Sequence, residues 1–408
     1  MKLKNRILIL GSVCLLAAGF VSCSDDDLGD TIFNTNPSID YLDKSSFTFP
    51  LDTFIKVNYN EPYNIRFIYR LEDKATDLSK NLTPATYDKS VDMAVLTKYL
   101  WYDVYKAVSG SENFMKTYSP RIIQLSGSKN YNPSQGTEVL GDASSGVKIN
   151  LYNVNNLDVN NVDMMNNYFF STMHHEFGHI LDQTHLHPTE FNLLSAGHYD
   201  ASGWNETPDS VAAGRGFVSN YASMMATEDW AETLANYITA DTLAWTQLLA
   251  SAQYEWEMKE IDNLAAYNKL LPSFGEFSLD TIGYYQPSES GKPHLYRRAC
   301  VRDGNDHVVL GADGKPQWTH NSGIDGKALI LRKLELVRNY LKTYYNVSID
   351  DLRHEVQNRT YVTKSDGSFV YDRLGRLVNK LTYKQADGTT LLDQLRQEVN
   401  QYKSLQKK

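Results

Sequence analysis

Apolar and polar positions along the chain follow two periods, and the period assigns the elements. Residues 64–70 (NIRFIYR) place β-branched and aromatic side chains near period two, which predicts a strand. Val91, Val95, Leu96, Leu100, Val104 and Val108 recur at helical spacing, so 89–108 reads as a helix that Gly110 ends. Short strands are expected at 121–125 (RIIQL) and 147–154 (VKINLYNV), the second with one wet face and a place at a sheet edge. Between them, 130–146 is rich in Gly, Ser and Asn and reads as loop. Val162, Met165, Phe169, Met173, Ile180 and Leu181 make 161–182 a long helix. A loop-like stretch at 186–220 leads to a helix over 227–238, and further helices are expected at 250–270, 326–345 and 391–405. From 360 to 385, Asp366-Gly367 and Leu374-Gly375 separate β-prone runs and predict hairpins. No internal repeat is legible. The pattern is α+β: a domain over 46–250 with a small mixed sheet, then a largely helical region with hairpins over 251–408.

The first 45 residues follow a different logic. Lys2, Lys4 and Arg6 precede an apolar run at 7–20 that is too short to span a bilayer. It ends in Phe20-Val21-Ser22-Cys23, which resembles a bacterial lipobox. Residues 1–22 are therefore expected to be a lipoprotein signal peptide, and 23–45 a polar tether with acyl chains on Cys23. Each buried CH₂ contributes about 0.8 kcal/mol, so several chains on one cysteine anchor firmly to a membrane. Ser24-Asp25-Asp26-Asp27 resembles the acidic signal that sends lipoproteins of Bacteroidetes to the outer cell surface.

The 408 residues are 42% apolar and 22% charged, enough to bury a core, which excludes disordered and collagen-like classes. The net charge is −9, which argues against nucleic acid as a partner. Of three cysteines, Cys14 and Cys23 lie in the first 23 residues, Cys23 as the expected acylation site, so Cys300 has no thiol to pair with in the mature chain and is either a buried small residue or a reactive thiol.

Six of the ten histidines fall between His174 and His198, and among them stands His175-Glu176-Phe177-Gly178-His179. Residues four apart share a helix face, so His175 and His179 can direct imidazole nitrogens at one ion. Glu176, turned slightly aside, reaches a water on that ion. Zn²⁺ suits such a site, taking nitrogen at about 2.0–2.1 Å and leaving a fourth position open. Two residues compete to be the third ligand. His185 gives the spacing HExxHxxxxxH, in which Asp182 occupies the position where a helix-breaking glycine is usual. Glu228 lies in Thr227-Glu228-Asp229-Trp230-Ala231-Glu232, where Glu228 and Glu232 share a helix face. One of them can bind metal while the other accepts a hydrogen bond from a ligating histidine. His174 points about 100° away around the helix and is expected on the outer surface. His187, His198 and Trp204 lie just past the motif, as cleft lining or as loop residues without a chemical role.

With Tyr221 seven residues before Glu228, the set resembles the gluzincin arrangement in the catalytic domain of anthrax lethal factor. More closely, the chain resembles the zinc-binding metallopeptidase lipoproteins of Bacteroidetes, also called substrate import-associated zinc metallohydrolase lipoproteins. The matching stretches are Pro62-Tyr63-Asn64-Ile65 with Tyr69-Arg70, His175 to Leu181, Gly216-Phe217-Val218-Ser219-x-Tyr221-Ala222, and Glu228-Asp229-Trp230-Ala231-Glu232. The resemblance implies a zincin-like domain with Zn²⁺ on His175, His179 and Glu228. It implies Glu176 as general base and Tyr221 as support for the transition state. It further implies a peptide or protein substrate, an outer-membrane location facing the exterior, and a TonB-dependent transporter complex as partner. The competing expectation is a surface lipoprotein that captures substrate for an importer with little or no catalysis.

Overall fold

The computed structural model describes residues 42–71, 81–132, 137–144, 147–260, 282–285, 294–305 and 307–406. The expected signal peptide, and the tether up to residue 41, lie outside the described residues. Among the described residues no helix is long and apolar enough to cross a membrane.

The first six strands are β1 (Arg66–Ile68), β2 (Ile122–Leu125), β3 (Asn130–Asn132), β4 (Thr137–Val139), β5 (Gly141–Ser144) and β6 (Lys148–Leu151). The main sheet has the order β1-β2-β6-β5, parallel except for β5, which runs antiparallel to β6. Its centre is apolar: Phe67, Ile123 and Ile149 stand in one register row and are buried. Two expectations fail here. The strand expected at an edge, β6, is interior, and the edge is β5. The stretch expected as loop over 130–146 supplies three short strands instead. Its small polar residues carry no period-two signal, and β5 needs them. Leu151 of β6 lies opposite Gly141, and a side chain at Gly141 would collide with Thr172 and with the Asn150 carbonyl.

The helix expected over 161–182 begins at Val162–Met165, passes a π-helical turn at Asn166–Phe170, and continues as α1 (Ser171–Thr184). Asn161 caps its start by accepting from the Met164 N–H at 3.0 Å. One face carries Phe169, Met173 and Phe177, all fully buried, and Phe177 packs edge-on against Trp101, Tyr105 and Phe114. The next long helix, α2 (Ala226–Thr239), lies against α1, with Ala231 and Leu234 next to Gly178. The backbones come close at Gly178, where a methyl would sit in van der Waals contact with Ala231, 3.4 Å from its Cα. Within the stretch expected as loop over 186–220, the short helices Thr189–Leu194 and Asp209–Gly214 form.

Three later helices are α3 (Gly326–Tyr345), α4 (Ile349–Thr360) and α5 (Leu391–Asn400). Side chains cap each start: Asp325 on α3, Ser348 on α4, and Thr390 with Asp393 as a capping box on α5. The boundary expected near residue 250 does not divide the packing. Val337, Leu341, Ile349, Leu352 and Leu392 share one core with Trp101, Ile123, Phe177 and Trp230. The described residues from 44 onward form one compact unit. Helix α3 also finishes α1. The Tyr340 hydroxyl donates to the His185 carbonyl at 2.5 Å, an acceptor that the helix end leaves open, and the Tyr345 hydroxyl adds a second donor at 2.6 Å to the Leu181 carbonyl, which already accepts the His185 N–H at 3.1 Å.

The helix expected over 250–270 is not formed as drawn. Thr242–Ser251 is helical, Trp256–Glu260 is a strand, and 261–270 lie outside the described residues. That strand pairs with His294–Arg298, which pairs in turn with Ile282–Tyr285. The expected hairpins over 360–385 are present, and they recur. Bridges join Cys300 to Trp318, Arg302 to Val308 and Leu310 to Pro316, and the same three bridges return 61 residues later, from Tyr361–Asn379 to Tyr371–Leu377. The two copies share only Val301/Val362, Val309/Val370 and Gly314/Gly375, so the repeat lives in backbone pairing and escapes the sequence. Cys300 is buried within the first copy.

Candidate metal centre

Helices α1 and α2 bring His175, His179 and Glu228 together. His175 Nε2 lies 3.1 Å from His179 Nε2 and 3.1 Å from Glu228 Oε2, and the His179 Nε2–Glu228 Oε2 distance is 3.4 Å. Ligand atoms about 2.0–2.1 Å from a tetrahedral zinc ion stand about 3.3 Å apart, so this triangle has the size of one tetrahedral face. The donor set, two imidazoles and one carboxylate, fits zinc and leaves a fourth direction towards the cleft.

The electrostatics favour a cation at this point. Burial alone would push the His175 imidazole down, but hydrogen bonds to Glu228 and Glu232 outweigh it and raise the group to about 10. For Glu228, burial would raise the carboxyl, yet hydrogen bonds with His175 and His179 hold it well below the usual carboxylate range. The cluster thus stabilises positive charge between its members, and a divalent ion supplies that charge as a proton does.

Behind this cluster, His175 Nδ1 donates to Glu232 Oε1 at 2.8 Å, which fixes the ring and leaves Nε2 for the metal. Glu232 Oε2 accepts from the Ser219 hydroxyl at 2.5 Å and from Asn236 Nδ2 at 3.1 Å. Ser219 and Asn236 did not stand out in the sequence. A signal existed for each: Asn236 follows Glu232 by one helical turn, and Ser219 precedes Tyr221 by two residues.

A cleft of about 590 Å³ opens over the cluster and is lined by His175, Glu176, Tyr221, Glu232, Trp204 and Gly141, among others. Glu176 is buried to 7% exposure on the α1 turn beside His175. Tyr221 stands on a 3₁₀ turn, Tyr221–Ser223, with its ring 5.8 Å from that of His175 and edge-on to Trp204. Burial and the Glu228 carboxylate push the Tyr221 hydroxyl well above its ordinary range, so it stays protonated and can donate.

The remaining histidines go elsewhere. Helix α1 does not break at Asp182 but runs to Thr184, and the chain leaves it extended at His185. The His185 ring stacks on Tyr344 with centroids 4.7 Å apart and takes no part in the cluster. Asp182 accepts from the backbone and ring of His187, whose ring stacks on Trp230. His174, expected on the outer surface, is fully buried: its Nδ1 lies 2.9 Å from the Tyr105 hydroxyl, and burial pushes it down to about 3. The helix is covered on that side too, by the aromatic layer around Trp101.

Fold and site together define a mixed α/β protein whose paired helices present a metal-type cluster to an open cleft. The profile of a family described as "Putative zinc-binding metallo-peptidase" matches residues 47–350, and the chain belongs to that family. Among solved structures, one titled as a putative zinc-binding metallo-peptidase from Bacteroides caccae is 27% identical, with a TM-score of 0.52 over 76% of this chain and 91% of that one. No curated protein matches.

Proposed function

We propose that this protein is a zinc-dependent peptidase of the gluzincin arrangement, held to the outer membrane through lipid on Cys23 and facing the cell exterior. The observation that carries the reading is the triangle of His175 Nε2, His179 Nε2 and Glu228 Oε2, with separations of 3.1–3.4 Å, opening on a cleft that Glu176 and Tyr221 line. His175, His179 and Glu228 would hold the ion. When bound, zinc activates a water and polarises a carbonyl.

The chain's own residues supply the rest. Glu176 takes the proton of the attacking water on its carboxylate and passes it to the leaving amine, the role of a general base and then acid. The Tyr221 hydroxyl donates to the carbonyl oxygen as charge develops there. Glu232 holds His175 in orientation throughout. Strand β5 ends the main sheet beside the cleft, so its outer backbone edge suits an extended peptide added as a further strand. A lipid-tethered peptidase outside the cell would work beside an outer-membrane importer of the TonB-dependent kind, trimming what the importer takes up.

The test is hydrolysis of a mixed peptide pool by the wild type and by Glu176→Gln, each with measured zinc content. The expected result is cleavage by the wild type, its loss with a chelator, and a zinc-loaded but inactive variant. Zinc-loaded wild type that binds peptides without cleaving any would instead establish a capture protein.

A further inference from the structure

We infer that Ser219 is a positioning residue that ties the placement of Tyr221 to the orientation of His175. The inference rests on the reading of His175 as a zinc ligand. One oxygen makes two bonds: Ser219 Oγ donates to Glu232 Oε2 at 2.5 Å and accepts from the Ala222 N–H at 3.1 Å. Ala222 is the middle residue of the 3₁₀ turn that carries Tyr221. The other oxygen of Glu232 receives the His175 Nδ1 proton at 2.8 Å. Two side chains therefore join the turn bearing the cleft hydroxyl to the ring at the metal cluster.

The residue type matters. A hydroxyl donates and accepts through a single atom, which neither an amide nitrogen nor a carboxylate oxygen does. At the start of the turn the Asn220 side chain makes no capping hydrogen bond, and Ser219 Oγ is the side-chain acceptor for the Ala222 N–H. Asn236 is the internal control. It donates to the same Glu232 Oε2 at 3.1 Å, but from within α2, and no hydrogen bond ties it to the Tyr221 turn.

The experiment measures zinc affinity by chelator competition, and kcat and KM at saturating zinc on the best-cleaved member of a mixed peptide pool. Ser219→Ala is expected to weaken zinc about tenfold or more, in the range seen when the partner of a metal-bound histidine is disturbed. It is also expected to lower kcat at saturating zinc with KM nearly unchanged, and Ser219→Thr, which keeps the oxygen, should restore both. Asn236→Ala should weaken zinc as well, and any loss of kcat it causes should add to that of Tyr221→Phe, because its bonds reach Glu232 and not the turn. In a Tyr221→Phe background, Ser219→Ala should cost no further kcat. Wild-type zinc affinity in Ser219→Ala, or a kcat loss that adds in full to that of Tyr221→Phe, overturns the inference. A wild type that binds no zinc overturns the proposed function with it, so the two failures are distinct. Should Ser219→Ala not fold, Glu232→Gln breaks the same arm. It should weaken zinc by a similar factor, and unchanged affinity there counts equally against the inference.

Discussion

On helix α2, Glu228 and Asp229 are neighbours in sequence that face opposite surroundings. Glu228 meets two imidazole nitrogens at 3.1 and 3.4 Å, one of them on His175, which lines the cleft. Asp229 meets the Lys333 ammonium of α3 at 2.6 Å, with both residues at 0% exposure. Lys333 also donates to the Gly216 carbonyl at 2.7 Å and lies over the Phe217 ring, and the Tyr199 hydroxyl donates to Asp229. One carboxylate is matched by a cation of the chain itself, and the other sits in a cluster that calls for a cation from outside. Buried charge alone therefore does not mark the functional residue; a counter-charge carried by imidazoles that a metal ion can replace, beside a cleft that His175 lines, does.

That contrast can be broken from either side. The largest effect is expected on the open side: Glu176→Gln should cut hydrolysis by about 10²–10⁴-fold with zinc content unchanged, read by peptide cleavage and metal analysis. On the closed side, Lys333→Met leaves Asp229 buried without its partner and should cost about 3–5 kcal/mol of stability, read by denaturant unfolding. Adding Asp229→Leu should recover much of that loss, since a buried pair replaced by apolar residues is often neutral. If Lys333→Met removed zinc as completely as a ligand mutation does, without loss of stability, the division between the two carboxylates would be wrong. Tyr221→Phe should lower kcat about 10²-fold at nearly constant KM, with the zinc retained. The smallest effect is expected from His185→Ala, which should change neither zinc content nor cleavage, because that ring stacks on Tyr344 away from the cluster.

Much of the open side was legible from spacing, and the closed side was not. Spacing pairs His175 with His179 on one helix face and Glu228 with Glu232 on another; that the two pairs meet across 53 residues was implied by the family resemblance and not by local geometry. The Asp229–Lys333 pair spans more than a hundred residues, and no local pattern links its members. The shared core was hidden for the same reason: α3 read correctly as a helix and α4 was not foreseen, and the apolar face of α3 does not say that it packs on Trp230. Strand β5 escaped because an edge strand of small residues, packed through Gly141 against Thr172, shows no alternation of large apolar side chains. His174 was misplaced for another reason: angle on a helix gives direction but not cover, and Tyr105 closes the side that geometry alone leaves open.

The central claim is that one ion sits between α1 and α2 on three ligands from this chain. Zinc per chain, measured after exhaustive dialysis against a weak chelator, tests it most directly. The account predicts one zinc in the wild type and in His185→Ala, and close to none in His175→Ala, His179→Ala and Glu228→Ala. Full zinc retention in Glu228→Ala would contradict it.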